Sequence, residues 1–150
     1  MVMKDIPVEK VRKNFYITLV VLIAVLAVTY ICTRPSIVVK VLEGGILVLN
    51  NGKKVCLIGV DAGKQAKSFV EKMVEGKEVK LKYDRQRIDS KGRIRAYVYL
   101  LDGRFLNAEV IKQGCAYVNR RFSFEYIEQF KQYEREAREN RMGMWADTDR

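Results

Sequence analysis

Residues 15–32 form an uninterrupted apolar run without a single charge, and beyond Ser36 the pattern changes to short alternating stretches. Eighteen residues in a helix rise about 27 Å at 1.5 Å each, close to the hydrocarbon thickness of a bilayer. Such a helix is apolar on every side and has no polar face to offer water. Phe15, Tyr16 and Tyr30 stand at its two ends, where interfacial aromatics belong. The pattern predicts a transmembrane helix or signal anchor at 15–32, after a tail at 1–14 and before a connector at 33–36. Lys4, Lys10, Arg12 and Lys13 precede the run, whereas only Arg34 and Lys40 follow it closely. This bias places the N-terminus in the cytoplasm and the following domain outside, in a single-pass membrane protein. The alternative is a signal peptide cut near Val25-Leu26-Ala27, which would release a secreted domain. Apolar residues continue past that point to Cys32, which favours a retained anchor.

The remainder, 37–146, alternates strand and helix periodicities. Residues 37–42 are β-branched, and 46–49 with 55–60 make a hairpin about Asn51-Gly52. Residues 63–74 shift to helical spacing, with Ala66, Phe69, Val70 and Met73 on one face and Gly76 as a stop. Residues 78–83 and 95–101 read as two more strands, and 106–113 as a short helix ended by Gly114. The last helix has Ser123 as N-cap and an apolar stripe of Tyr126, Phe130, Tyr133 and Ala137. Its Glu134–Arg138 and Arg135–Glu139 pairs are expected on the wet side, and Trp145 is expected to fold back as a core plug. The expected class is α+β: a five-stranded OB-type β-barrel with three helices, preceded by one transmembrane helix and followed by a tail at 147–150.

Charge narrows the partners. The net charge is +10; five of 28 basic and two of 18 acidic residues precede Ser36, leaving 23 against 16, or +7, on the domain. That excess points to a polyanion or an anionic membrane surface. The absence of histidine excludes a Ser/His/Asp triad and any histidine-ligated metal. Cys32, Cys56 and Cys115 lack CxxC spacing, and the last two sit in apolar runs as small core residues. Lys80, Lys82, Arg85, Arg87, Lys91, Arg93 and Arg95 gather around the fourth and fifth strands, interleaved with Tyr83, Tyr97 and Tyr99. Cations for phosphates and aromatics for bases are how OB-type barrels hold strands, although charge runs also serve as plain solvated faces.

Several local patterns occur together in one order. They are Val41-Leu42-Glu43-Gly44-Gly45-Ile46, Leu57-Ile58-Gly59-Val60-Asp61 and Asp89-Ser90-Lys91-Gly92-Arg93-Ile94-Arg95-Ala96-Tyr97. A helix pattern from Asn107 to Ala116 and a closing set of Glu134, Ala137, Gly143 and Trp145 complete the series. As a set this resembles the staphylococcal nuclease (thermonuclease) domain from about Ile37 to Trp145. The resemblance implies phosphodiester hydrolysis with a bound calcium ion. In that scheme two aspartates hold the metal, a glutamate handles the water, and two arginines clamp the phosphate.

Carried over position by position, Asp61 matches one metal aspartate and Arg93 one phosphate arginine. The other aspartate falls on Gly45 and the other arginine near Cys56. The family's loop beginning Thr-Pro-Glu, which carries the glutamate, is missing, since Asp61 runs through Ala62-Gly63 straight into the helix. The family's tyrosine before Gly-Arg is replaced by Lys91. A register slip would pair Glu43 with Asp61 as a two-carboxylate metal site; otherwise Asp61 caps the following helix. The resulting expectation is a membrane-anchored domain that binds nucleic acid or another polyanion, with Asp61 and Arg93 as catalytic remnants. No cofactor is expected, except calcium if nuclease activity persists, and no small-molecule substrate is inferred. The alternatives are an active metal-dependent phosphodiesterase with a rearranged site, or an envelope module that binds protein partners.

Overall fold

The computed structural model describes residues 8–32 and 35–146, without the side chains of residues 8, 10, 11, 29–32 and 64. The predicted tail residues 1–7, the connector residues 33–34 and the tail at 147–150 lie outside the described residues. The chain divides into two units, Met1–Arg34 and Pro35–Arg150.

The first unit is one helix, α1 (Val8–Cys32), which begins seven residues before the apolar run. Thr18 Oγ1 bonds back to the Asn14 carbonyl at 2.8 Å, and the described apolar side chains between Phe15 and Val28 are exposed. Among the described residues no helix is long and apolar enough to cross a membrane. The run expected as an anchor leaves the described side chains after Val28.

The second unit is the expected five-stranded barrel with three helices. Its strands are β1 (Ser36–Leu42), β2 (Ile46–Leu49), β3 (Lys54–Leu57), β4 (Val60–Ala62), β5 (Glu78–Lys82), β6 (Ile94–Leu100) and β7 (Ala116–Val118). The helices are α2 (Lys64–Val74), α3 (Leu106–Lys112) and α4 (Ile127–Glu139). The barrel closes in the order β1-β2-β3-β6-β5, with β3 and β6 parallel, while β4 and β7 pair separately. Inward-facing Val38, Val41, Leu47, Val55 and Val98 fill the barrel, and Leu106, Ile111 and Phe130 close it from the helices.

Four local expectations change. The single strand over 55–60 breaks at Gly59, which sits at φ +77, where a Cβ would lie 2.5 Å from two Phe124 ring carbons. The backbone must turn there to let Phe124 pack, so β4 starts afresh and pairs with β7. Ser123 does not cap the last helix: α4 starts at Ile127 after Tyr126, with no side-chain cap. Glu134 leaves the wet side and is 3% exposed, accepting from the Val118 amide at 3.0 Å and pairing with Arg120 at 2.6 Å. Trp145 does not plug the core; it is half-buried, edge-on to Tyr117 at 5.2 Å and under Arg138 at 4.1 Å. The aromatic floor of the core is instead Tyr97, Phe105, Tyr126 and Phe130.

One buried polar side chain ties these parts together. Asn107 is fully buried; its Oδ1 accepts from the Val98 amide at 2.9 Å. Its Nδ2 donates to the Ile58 carbonyl at 3.0 Å and the Ala96 carbonyl at 3.2 Å. Asn107 therefore locks α3 to β6 and to the turn that launches β4, and so fixes where Asp61 stands.

Candidate functional site

The loop before β6 is built around Asp89. Its Oδ1 accepts from the backbone amides of Lys91 and Arg93, both at 2.9 Å, which folds a tight turn through Gly92 at φ +72. Its Oδ2 takes the Arg93 guanidinium through Nε and Nη2, both at 2.7 Å. Burial alone would push the Asp89 carboxyl up, but the amides of Arg93 and Lys91 and the Arg93 guanidinium outweigh it and hold it below the usual carboxylate range. Arg93 is thus oriented by a carboxylate that its charge largely neutralises.

Arg95 leaves β6 beside it. Its Nη1 donates to the neutral Gln86 Oε1 at 2.7 Å, and its guanidinium lies 5.2 Å from the Phe122 ring centroid. Phe122 arrives from the opposite side. The Asn119 amide donates to the Gly59 carbonyl at 2.9 Å, and Asn119 Oδ1 accepts from the Arg121 amide at 3.1 Å. These bonds turn the chain after β7 so that Arg121 and Phe122 face the end of β3. Arg121 makes no side-chain hydrogen bond or ion pair among the described residues.

These segments enclose a cleft of about 520 Å³ whose lining includes Asp61, Asp89, Arg93, Arg95, Arg121 and Cys56. Asp61 lies in β4 opposite Tyr117, exposed and without a bond from its carboxylate among the described residues. It does not cap α2: the N-cap position is Gly63, with no side-chain bond. The Cys56 thiol lies 3.8 Å from Asp89 Oδ2; burial raises its pKa above the usual thiol value, only partly offset by Arg93.

The structure therefore brings Asp61, Arg93 and Arg95 to one cleft. Glu43 lies in the 3-10 turn Glu43–Gly45 and is not part of the cleft lining. Gly45 has φ +69, and a Cβ there would stand 3.3 Å from the Ala62 Cβ, so a side-chain carboxylate at this position meets both backbone strain and crowding. Both Asp89 oxygens are committed to Arg93 and its loop, which among the described residues leaves Asp61 as the one lining carboxylate with free oxygens. A single free carboxylate does not fit calcium, which takes six to eight oxygen ligands.

Arg87, Lys91 and Arg93 line a second groove beside the cleft, and Arg85 shares a shallow depression with Arg95, Arg121 and Phe122. Lys80 and Lys82 line neither cleft nor groove. Lys82 is occupied elsewhere, where hydrogen bonds to Tyr126 at 2.8 Å and Glu125 at 2.9 Å raise its pKa. Tyr97 is buried, donating its hydroxyl to Asp84 at 3.1 Å, and Tyr99 stacks on Phe105 with centroids 4.6 Å apart. Of the three interleaved tyrosines only Tyr83 is open to a ligand, at 42% exposure. Arg121, Phe122 and Asn119 escaped the sequence reading; the Arg120-Arg121-Phe122 triplet was their only local signal.

Residues 53–147 match the model of the staphylococcal nuclease homologue family. A thermonuclease of Staphylococcus intermedius is 30% identical over 130 residues, covering 73% of this chain and 74% of that protein. A thermonuclease of Staphylococcus hyicus is 28% identical over 127 residues, 73% of this chain and 75% of that one. An uncharacterized endonuclease of Escherichia coli is 29% identical over 122 residues, 75% of this chain and 77% of its own. With the barrel, the Asp89 turn and the Asp61–Arg93 cleft in their expected order, the chain belongs to the family of staphylococcal nuclease homologues.

Proposed function

We propose that the barrel binds the phosphate backbone of nucleic acid in the Arg93–Arg95–Arg121 cleft and does not hydrolyse it. The observation that carries this reading is the charge balance of the cleft. Arg93 is neutralised by Asp89, but Arg95 is held only by a neutral amide and a ring, and Arg121 is unpaired among the described residues. Two uncompensated guanidiniums beside a third form a fork-shaped set of donors suited to phosphate oxygens. The absence of hydrolysis is supported by the glycine at position 45, by Cys56 in place of a clamping arginine, and by the missing glutamate loop. We further propose that α1 anchors the protein in a membrane, with the N-terminus cytoplasmic and the barrel outside. The exposed apolar side chains from Phe15 to Val28 support the anchor, and Lys4, Lys10, Arg12 and Lys13 ahead of them support the orientation.

Fluorescence anisotropy with labelled single-stranded DNA and RNA tests the cleft. Affinity should fall steeply as salt rises, and Arg121→Ala should weaken it and flatten the salt slope by about one unit. Salt-insensitive binding, or an Arg121→Ala protein that binds like the parent, would remove the cleft from the interface. A second reading, a phosphodiesterase with a rearranged metal site, is favoured by the meeting of Asp61 and Arg93 in the same cleft and by the nuclease names of its relatives. That reading requires cleavage that stops when divalent metal is removed.

A further inference from the structure

The second groove has about the volume of the first, roughly 530 Å³, but a different chemistry. Lys53, Lys54, Tyr83, Arg87, Ile88 and Lys91 line it, and among the described residues no carboxylate does. Two apolar surfaces are left open to water in this cationic setting: Tyr83 is 42% exposed and Ile88 58%. Burying the exposed part of both against a ligand is favourable, and among the described residues that part is left uncovered. The Arg87 guanidinium sits 5.3 Å from the Tyr83 ring centroid, leaving that ring paired with a cation instead of with the core.

The groove is preformed. The Arg95 amide donates to the Arg87 carbonyl at 2.8 Å, and Ile88 bridges Ile94, so residues 87 and 88 are pinned along the start of β6. On the other side the β2–β3 turn is closed by Asn51 Oδ1, which accepts from the Lys53 amide at 3.0 Å, and this presents Lys53 and Lys54. The side chains of Lys53, Lys54 and Lys91 make no hydrogen bond or ion pair among the described residues. Arg93 lines both the groove and the cleft, so the two are neighbours on one continuous surface.

We infer that this groove is a second subsite of the same binding surface, taking an unpaired nucleobase on Tyr83 and Ile88 with the adjoining phosphates on Lys53, Lys54 and Lys91. The inference rests on the nucleic-acid reading of the cleft and adds the substrate class: single strands long enough to pass Arg93. A flat ring and an aliphatic patch are useful only for a base whose face is free, because in a duplex the faces are already stacked. Cations without any carboxylate match the phosphates on either side of that base.

Oligothymidylates of two and eight nucleotides and an eight-base-pair duplex, titrated against the full-length chain in mild detergent, test the inference. Tyr83→Ala should weaken the eight-nucleotide strand by roughly tenfold, Tyr83→Phe should not, and the dinucleotide should be unaffected by either. Lys54→Ala should lower the salt slope for the longer strand by about one unit and leave the dinucleotide slope unchanged. Tyr83→Ala that leaves the longer strand unchanged, or weakens both lengths alike, would overturn the subsite while leaving the cleft in place. A parent protein that binds the duplex as well as the single strand would overturn it too. If the parent protein binds none of the three, the cleft reading fails along with the subsite.

Discussion

Replacing Asn107 by alanine removes three hydrogen bonds from the interior without touching a surface group. The Val98 amide and the Ile58 carbonyl each lose the side-chain partner that satisfies them, whereas the Ala96 carbonyl keeps the Ile58 amide at 3.1 Å. Two buried backbone groups are therefore orphaned, at about 1–3 kcal/mol each, for a total loss of roughly 2–6 kcal/mol. Against a domain stability of about 5–15 kcal/mol that is enough to leave the variant marginal. Urea titration followed by circular dichroism measures it; the midpoint should fall with little change in slope. Asn51→Ala, which removes one exposed bond in the β2–β3 turn, should cost less than about 1 kcal/mol and serves as the control. An Asn107→Ala protein within about 1 kcal/mol of the parent would refute the idea that this side chain holds the Ile58–Gly59 turn and the strand beyond it.

Gly59→Ala should destabilise by about 2–5 kcal/mol, combining a left-handed backbone with a Cβ driven into Phe124; an unchanged melting temperature would contradict the close approach. Trp145→Ala should cost no more than about 2 kcal/mol, since the ring is half-buried on Tyr117 and not in the core; a loss above about 4 kcal/mol would contradict that placement. Burial raises the Cys56 thiol above its ordinary value of 9.0, so its thiolate is scarce at neutral pH and alkylation should accelerate only as pH rises past that value. A reaction midpoint below pH 8 would mean that Arg93 and Arg95 outweigh burial. Once formed, the adduct occupies the cleft and should block oligonucleotide binding.

The barrel was legible because β1, β2, β5 and β6 each bury alternate or β-branched side chains, a signal carried within the strand itself. Strands β4 and β7 have three residues each, too few for a period to show, and they form because Val60 meets Val118 across the fold. The break at Gly59 depends on Phe124 and Phe130, distant in sequence, so no window around residue 59 contains its cause. The last helix starts late for a similar reason, since the Glu125 amide donates to the buried Tyr97 hydroxyl at 3.2 Å and holds the chain ahead of Ile127 in a turn. Among the site residues, Asp61 and Arg93 stood out through their motifs. Arg121 and Phe122 have no local signal beyond the Arg120-Arg121-Phe122 triplet, and the bond from Asn119 to Gly59 helps to turn them toward the cleft. The basic run around β5 and β6 does not act as one surface: Lys80 and Lys82 share a strand face with Arg95, but Lys82 is spent on Glu125 and Tyr126 and neither lysine lines the cleft or the groove.

The most direct test of the account is a single gel series on the purified full-length chain with end-labelled single-stranded DNA and RNA. It compares calcium, magnesium and chelator across a range of salt, scoring intact and cut strands together. The account predicts salt-sensitive retention of uncut strands, unchanged by chelator and weakened by Arg121→Ala. Strands cut in calcium or magnesium, spared by chelator and spared again in Asp61→Ala, would contradict it and establish a working metal site in the cleft.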